Sequence, residues 1–100
     1  MNINVDRAGT QLTVGVTGEL DAHNCAELGE AIVRAADSEV DRVVIDAAEL
    51  SFIDSSAISE LLRVRQDLVD RGGELVIQNT GSSVRRVLEI TGLLDTFGVS

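Results

Sequence analysis

The chain has 100 residues, enough for one hydrophobic core and too few for a second domain with its own interior. Its composition, 44% hydrophobic and 25% charged, is that of an ordinary globular domain, and no apolar run approaches the roughly 18 residues of a membrane helix, which excludes a bilayer span. Seventeen acidic residues against eight basic ones leave a net charge of −9, whose field repels phosphate backbones and anionic headgroups, so neither nucleic acid nor a membrane surface is an expected partner.

All eight basic residues are Arg, and the absence of Lys removes P-loop, Schiff-base and Ser-Lys chemistry. One His, one Cys and two Phe leave no catalytic constellation, no zinc ligand set, no disulfide within the chain and no stacking platform for bases or sugars. The expected cofactor is none, the expected metal is none, and an enzyme is not expected. Met1 to Arg7 lacks the charged start, apolar block and cleavage site of a signal peptide, which points to the cytoplasm. The net charge opposes self-association, so a monomer is expected when the chain is unbound.

In chain order, Ile3 and Val5, then Leu12, Val14 and Val16, alternate with polar residues across Ala8-Gly9-Thr10, the pattern of a hairpin with one buried face. Apolar residues at 28, 31, 32, 35 and 36 predict a helix from about Ala22 to about Ala36, with Asn24 and Glu27 as a candidate capping box. Val43-Val44-Ile45 reads as a central strand buried on both faces. A second helix begins near Ser55 with apolar residues at 58, 61, 62, 68 and 69 on one face, and Gly72-Gly73 ends it. Leu75-Val76-Ile77 predicts a strand parallel to that at Val43, and Ser82 or Ser83 is placed to cap a third helix carrying Val84, Val87, Leu88 and Thr91, with Gly92 as its stop. Leu93, Leu94 and Phe97 close the core. The expected architecture is a single small α/β domain over residues 1–100, a mixed β-sheet with helices packed on it in the order β-β-α-β-α-β-α.

In such sheets the functional edge lies beyond the carboxyl ends of the parallel strands. Three polar segments are predicted there: Gly18 to Asp21 with His23 and Asn24, Asp54-Ser55-Ser56, and Asn79 to Ser82. A serine hydroxyl at a helix N-terminus faces unpaired N–H groups and the positive end of the macrodipole, so a phosphate is well tolerated there and adds about −1.5 to −2 charge. The spacing by itself requires nothing beyond helix caps, because Asp/Ser clusters before helices are common.

Three stretches resemble the STAS domain family, and within it the bacterial anti-sigma factor antagonists: Val16-Thr-Gly-Glu-Leu-Asp21, Val43-Val-Ile-Asp46 leading to Leu50-Ser-Phe-Ile-Asp-Ser-Ser56, and Gly72-Gly-Glu-Leu-Val-Ile77. The likeness spans nearly the whole chain. It implies that Ser55 is the residue phosphorylated by an anti-sigma factor that is also a serine kinase. It implies further that the unphosphorylated form binds that factor and frees the sigma factor, and that a serine phosphatase resets the cycle. Asp54 would position or tune the acceptor, and Asp21, His23, Asn24, Asp54, Ser55, Ser56 and Ile58 would form the docking surface. Where the family pattern commonly continues Asp-Ser-Ser with Gly-Leu-Gly, this chain has Ala57-Ile58-Ser59, which predicts a stiffer helix start and added bulk where a partner packs. The alternative within the family is a STAS subunit of a phospholipid-transport ABC complex, or another constitutive binding module, with no phosphorylation cycle.

Overall fold

The structure is a computed structural model, and it describes residues 1–99. Five strands and three helices follow one another as β1 (Asn2–Ala8), β2 (Gln11–Leu20), α1 (Cys25–Ala35), β3 (Arg42–Asp46), β4 (Leu50–Ile53), α2 (Ser55–Asp70), β5 (Glu74–Gln78) and α3 (Ser82–Ile90). The sheet runs β1-β2-β3-β5, with β1 antiparallel to β2 and the other pairs parallel, and β4 pairs with β2 alone. This is the expected mixed α/β sheet with one more strand than the sequence predicts.

Gly9, at φ +64°, makes the tight turn between β1 and β2 that favours glycine. Of the two hairpin strands only β2 buries its apolar face: Leu12, Val14 and Val16 are buried, whereas Ile3 is half-buried and Val5 is 44% exposed. The expected buried face therefore stops short of the outer strand, which lies at the edge of the sheet.

On the edge away from β1, the ten residues of β2 serve two partners in succession. Gln11 to Gly15 pair with β3, and Gly18 to Leu20 pair with β4 after an irregularity between Gly18 and Glu19. Gly18 holds φ +100° at that break, and its N–H donates to Glu49 O at 3.0 Å. The strand is thereby re-aimed from β3 to β4.

α1 begins at Cys25, three residues later than predicted, because Asp21 to Asn24 form a turn: the amides of Asn24 and Cys25 both donate to Asp21 O, at 3.2 and 2.9 Å. The expected capping box is absent, since the Asn24 side chain turns back to the preceding turn and makes no cap bond. On α2, Ala57, Ile58, Leu61, Val64 and Leu68 are buried. Leu62 is half-buried and Val69 is exposed, so the apolar face is narrower than the sequence predicts. Gly72, at φ +80°, follows the helix.

β5 lies parallel to β3 as expected. The N-cap of α3 is Gly81, so Ser82 and Ser83 are its first helical residues and do not cap it. Gly92, at φ +73°, follows the helix end, and the chain turns back so that Phe97, fully buried, accepts from the Ile77 amide at 2.8 Å on the edge of β5. The core gathers the inner faces of the strands, the buried stripes of all three helices and Phe97, and among the described residues no polar or charged side chain is buried. Polar chemistry therefore lies at the surface.

Candidate functional site

Strands β2, β3, β4 and β5 run in one direction, so their carboxyl ends share an edge. Leu20 pairs with Ile53, and the segments that leave these two strand ends are neighbours. The Asp54 amide continues the pairing by donating to Leu20 O at 3.2 Å. This adjacency brings Asp21, His23 and Asn24 to the start of α2.

Asp54 is the N-cap of α2, with extended backbone at φ −108° and ψ 178°. Its Oδ1 accepts from the Ala57 amide at 2.9 Å, and its Oδ2 accepts from the Ala22 amide at 3.1 Å. One carboxylate thus satisfies an otherwise unpaired donor of the helix and a donor of the loop after β2, while its charge opposes the positive end of the helix dipole. Ser55 follows as the first helical residue, and both Ser55 and Ser56 are exposed. Among the described residues neither hydroxyl has a hydrogen-bond partner, because the cap is Asp54.

The loop after β2 is held internally. Asn24 Oδ1 accepts from the Asp21 amide at 2.9 Å, Asn24 Nδ2 donates to Glu19 O at 2.8 Å, and Asp21 Oδ1 accepts from the His23 amide at 2.9 Å. The His23 side chain is exposed beside this framework.

Ile58 does not belong to the surface. It is 5% exposed and packs in the core, because it shares the inner face of α2 with the buried Leu61 one turn on. Ala57 is likewise fully buried, so its methyl adds bulk to the core and none to the docking face, whereas Ser59 is exposed. The third predicted segment is anchored elsewhere on the edge: Asn79, at φ +60°, donates from Nδ2 to Asp46 Oδ1 at the end of β3. Sequence reasoning passed over Phe52, 45% exposed and opposite Glu19 just before the site. Its outward direction beside Ser51 is readable only once β4 is known. The backbone amide of Ala22 was also missed, and a backbone donor leaves no mark in a sequence.

The fold and site define a small sheet-and-helix domain that presents an exposed serine at a helix start beside a hydrogen-bonded loop. A STAS domain model matches residues 2–100. The chain is 29% identical over 102 residues to the anti-sigma-B factor antagonist of Bacillus subtilis, covering all of this chain and 93% of that protein. It is similar in structure to an anti-sigma factor antagonist from Mycobacterium paratuberculosis, with a TM-score of 0.79, 30% identity and coverage of 96% of this chain and 81% of that one. It also resembles the anti-sigma factor antagonist SpoIIAA in its unphosphorylated form, with a TM-score of 0.74, 26% identity and coverage of 92% and 82%. The chain belongs to the STAS domain family, and these relatives are anti-sigma factor antagonists.

Proposed function

We propose that this chain is an anti-sigma factor antagonist whose partner is an anti-sigma factor with serine kinase activity, and that Ser55 is the switch. The unmodified form binds that partner and releases a sigma factor in the cytoplasm. Phosphorylation ends the binding, and a serine phosphatase restores it. The observation that supports this most directly is the division of labour at the start of α2: Asp54 takes the capping role, leaving the exposed Ser55 hydroxyl without a partner among the described residues. In the transfer, Ser55 Oγ attacks the γ-phosphorus of ATP held by the kinase, the bond to the β,γ-bridging oxygen breaks, ADP leaves, and the hydroxyl proton passes to a base on the kinase.

The phosphate would enter beside the Asp54 carboxylate and the exposed Ser56, adding about −1.5 to −2 charge to the face shared with Asp21, His23 and Asn24. A partner surface matched to the neutral serine then meets charge and bulk together. The test incubates the protein with ATP and kinase-type anti-sigma factors of its own organism and maps phosphate by mass spectrometry. Phosphate on Ser55, binding retained by Ser55→Ala and binding weakened about tenfold or more by Ser55→Asp are expected, the last corresponding to about 1.4 kcal/mol. No phosphate from any such kinase, or equal affinity of the two variants, would remove the switch and favour a constitutive STAS binding module such as a transport-complex subunit.

A further inference from the structure

Asp54 holds two elements at once, and the loop it holds is already stiffened from within. The Asn24 side chain closes the loop onto Asp21 and Glu19, and Asp21 fastens the His23 amide. The bond from the Ala22 amide to Asp54 Oδ2 then joins this closed loop to the helix that begins with Ser55. Oδ1 of the same carboxylate is committed to Ala57, so the loop and the first turn of α2 are oriented by one planar group.

We infer that Asp54 is a positioning residue that fastens the Asp21–Asn24 loop to the acceptor turn, so that the loop and Ser55 meet a partner as one preformed surface. This rests on the reading of Ser55 as the acceptor. A surface ordered before the encounter loses less conformational freedom on binding than one that must be ordered during it. Asp54 therefore acts on recognition and on the placement of the Ser55 hydroxyl without touching the transferred phosphoryl group.

The test compares the full wild-type chain with Asp54→Ser and Asp54→Asn. Serine still caps Ala57, since serine is a good N-cap, but it has a single oxygen and cannot serve Ala22 as well. In Asp54→Ser the Ala22 amide is expected to exchange about tenfold faster, the loss of one hydrogen bond, while the Ala57 amide keeps its protection and the chain stays folded with a modestly lowered unfolding midpoint. Backbone 15N relaxation at His23 and Asn24 should show the loop loosened. Phosphorylation of Ser55 should fall about tenfold in kcat/KM, chiefly through KM, a split that a merely structural cap would not produce. Unchanged Ala22 exchange, or a loosened loop with unchanged phosphorylation kinetics, would overturn the inference. Should the serine variant fail to fold, Asp54→Asn supplies the same comparison, because its amide offers one acceptor oxygen in place of two. The exchange measurement needs no partner, so a chain that is never phosphorylated would sink the acceptor reading while the tether is judged at Ala22 alone.

Discussion

Gly29 in α1 and Glu60 in α2 meet so closely that a Cβ on Gly29 would collide with the Glu60 carboxylate and stand 3.0 Å from its Cδ. Glu60 is in turn held by Arg63, whose Nε donates to Oε1 at 3.1 Å. The glycine is thus matched to a side chain, and no unusual dihedral requires it. Gly29→Ala should gain about 0.5–1 kcal/mol of helix propensity and lose a similar amount by displacing Glu60, leaving stability nearly unchanged. In a Glu60→Ala background the same substitution should stabilise by about 0.5–1 kcal/mol, because the obstacle is gone. Urea unfolding of the four proteins in this cycle decides the matter, and equal effects in both backgrounds would show that the contact is of no consequence.

Arg71 closes the far end of the same helix pair. Its guanidinium donates to the carbonyls of Ala36, Asp37 and Val40, at 3.2, 2.6 and 3.2 Å, and so fixes the segment between α1 and β3 against the end of α2. Arg71→Ala should cost about 1.5–3 kcal/mol, the range for hydrogen bonds to a charged group. Arg71→Lys should recover less than half of that, since one ammonium cannot span three carbonyls as a planar fork does. Matching stabilities for the lysine variant and wild type would count against the fork as the source of the effect.

The helices were legible because their apolar residues recur at helical spacing, and Leu28, Ile32, Leu61, Leu68, Val84 and Leu88 are all buried as that spacing requires. β4 escaped because four residues with inward Leu50 and Ile53 around outward Ser51 and Phe52 do not alternate, and because its partner lies far back in β2. Asn24 and Ser82 show a different limit. Composition marks a residue able to cap, but whether its side chain serves the helix or a neighbouring turn depends on backbone geometry, and at α3 Gly81 took the position. The site residues were found as three polar segments, yet only the pairing of Leu20 with Ile53 reveals which two of them meet. The apolar spacing puts Ile58 on the inner face of α2 while the family resemblance implies a place on the docking surface, and its burial puts it in the core.

The acid limb of stability should report on Asp37. Its hydrogen bond with the Arg7 side chain, then the bond from the Glu39 amide, hold this carboxyl below the ordinary carboxylate value. A carboxyl with a depressed folded pKa stabilises the protein above its unfolded value, and that contribution disappears as pH falls through the folded value. The stability difference between wild type and Asp37→Asn should therefore be present at neutral pH and shrink below about pH 4, where the unfolded carboxyl takes up its proton. Arg7→Ala should move the Asp37 titration, followed by NMR, upward. A titration that stays in place would mean that Arg7 does not hold it.

Ala57 separates the stability of the first turn of α2 from its recognition by a partner. Its methyl is fully buried, while its amide is the one that Asp54 caps. Ala57→Gly restores the residue common in the family at this place and should cost about 1–2 kcal/mol, from helix propensity and the lost buried methyl. Because the methyl faces the core, affinity for an anti-sigma factor should be unchanged. Ser59 is exposed on the same helix, so Ser59→Tyr should leave stability within about 0.5 kcal/mol and alter binding instead. The two variants therefore move different readouts, unfolding midpoint for the first and dissociation constant for the second. A docking face that extended over Ala57 would instead show weaker binding in Ala57→Gly at temperatures where the variant is fully folded.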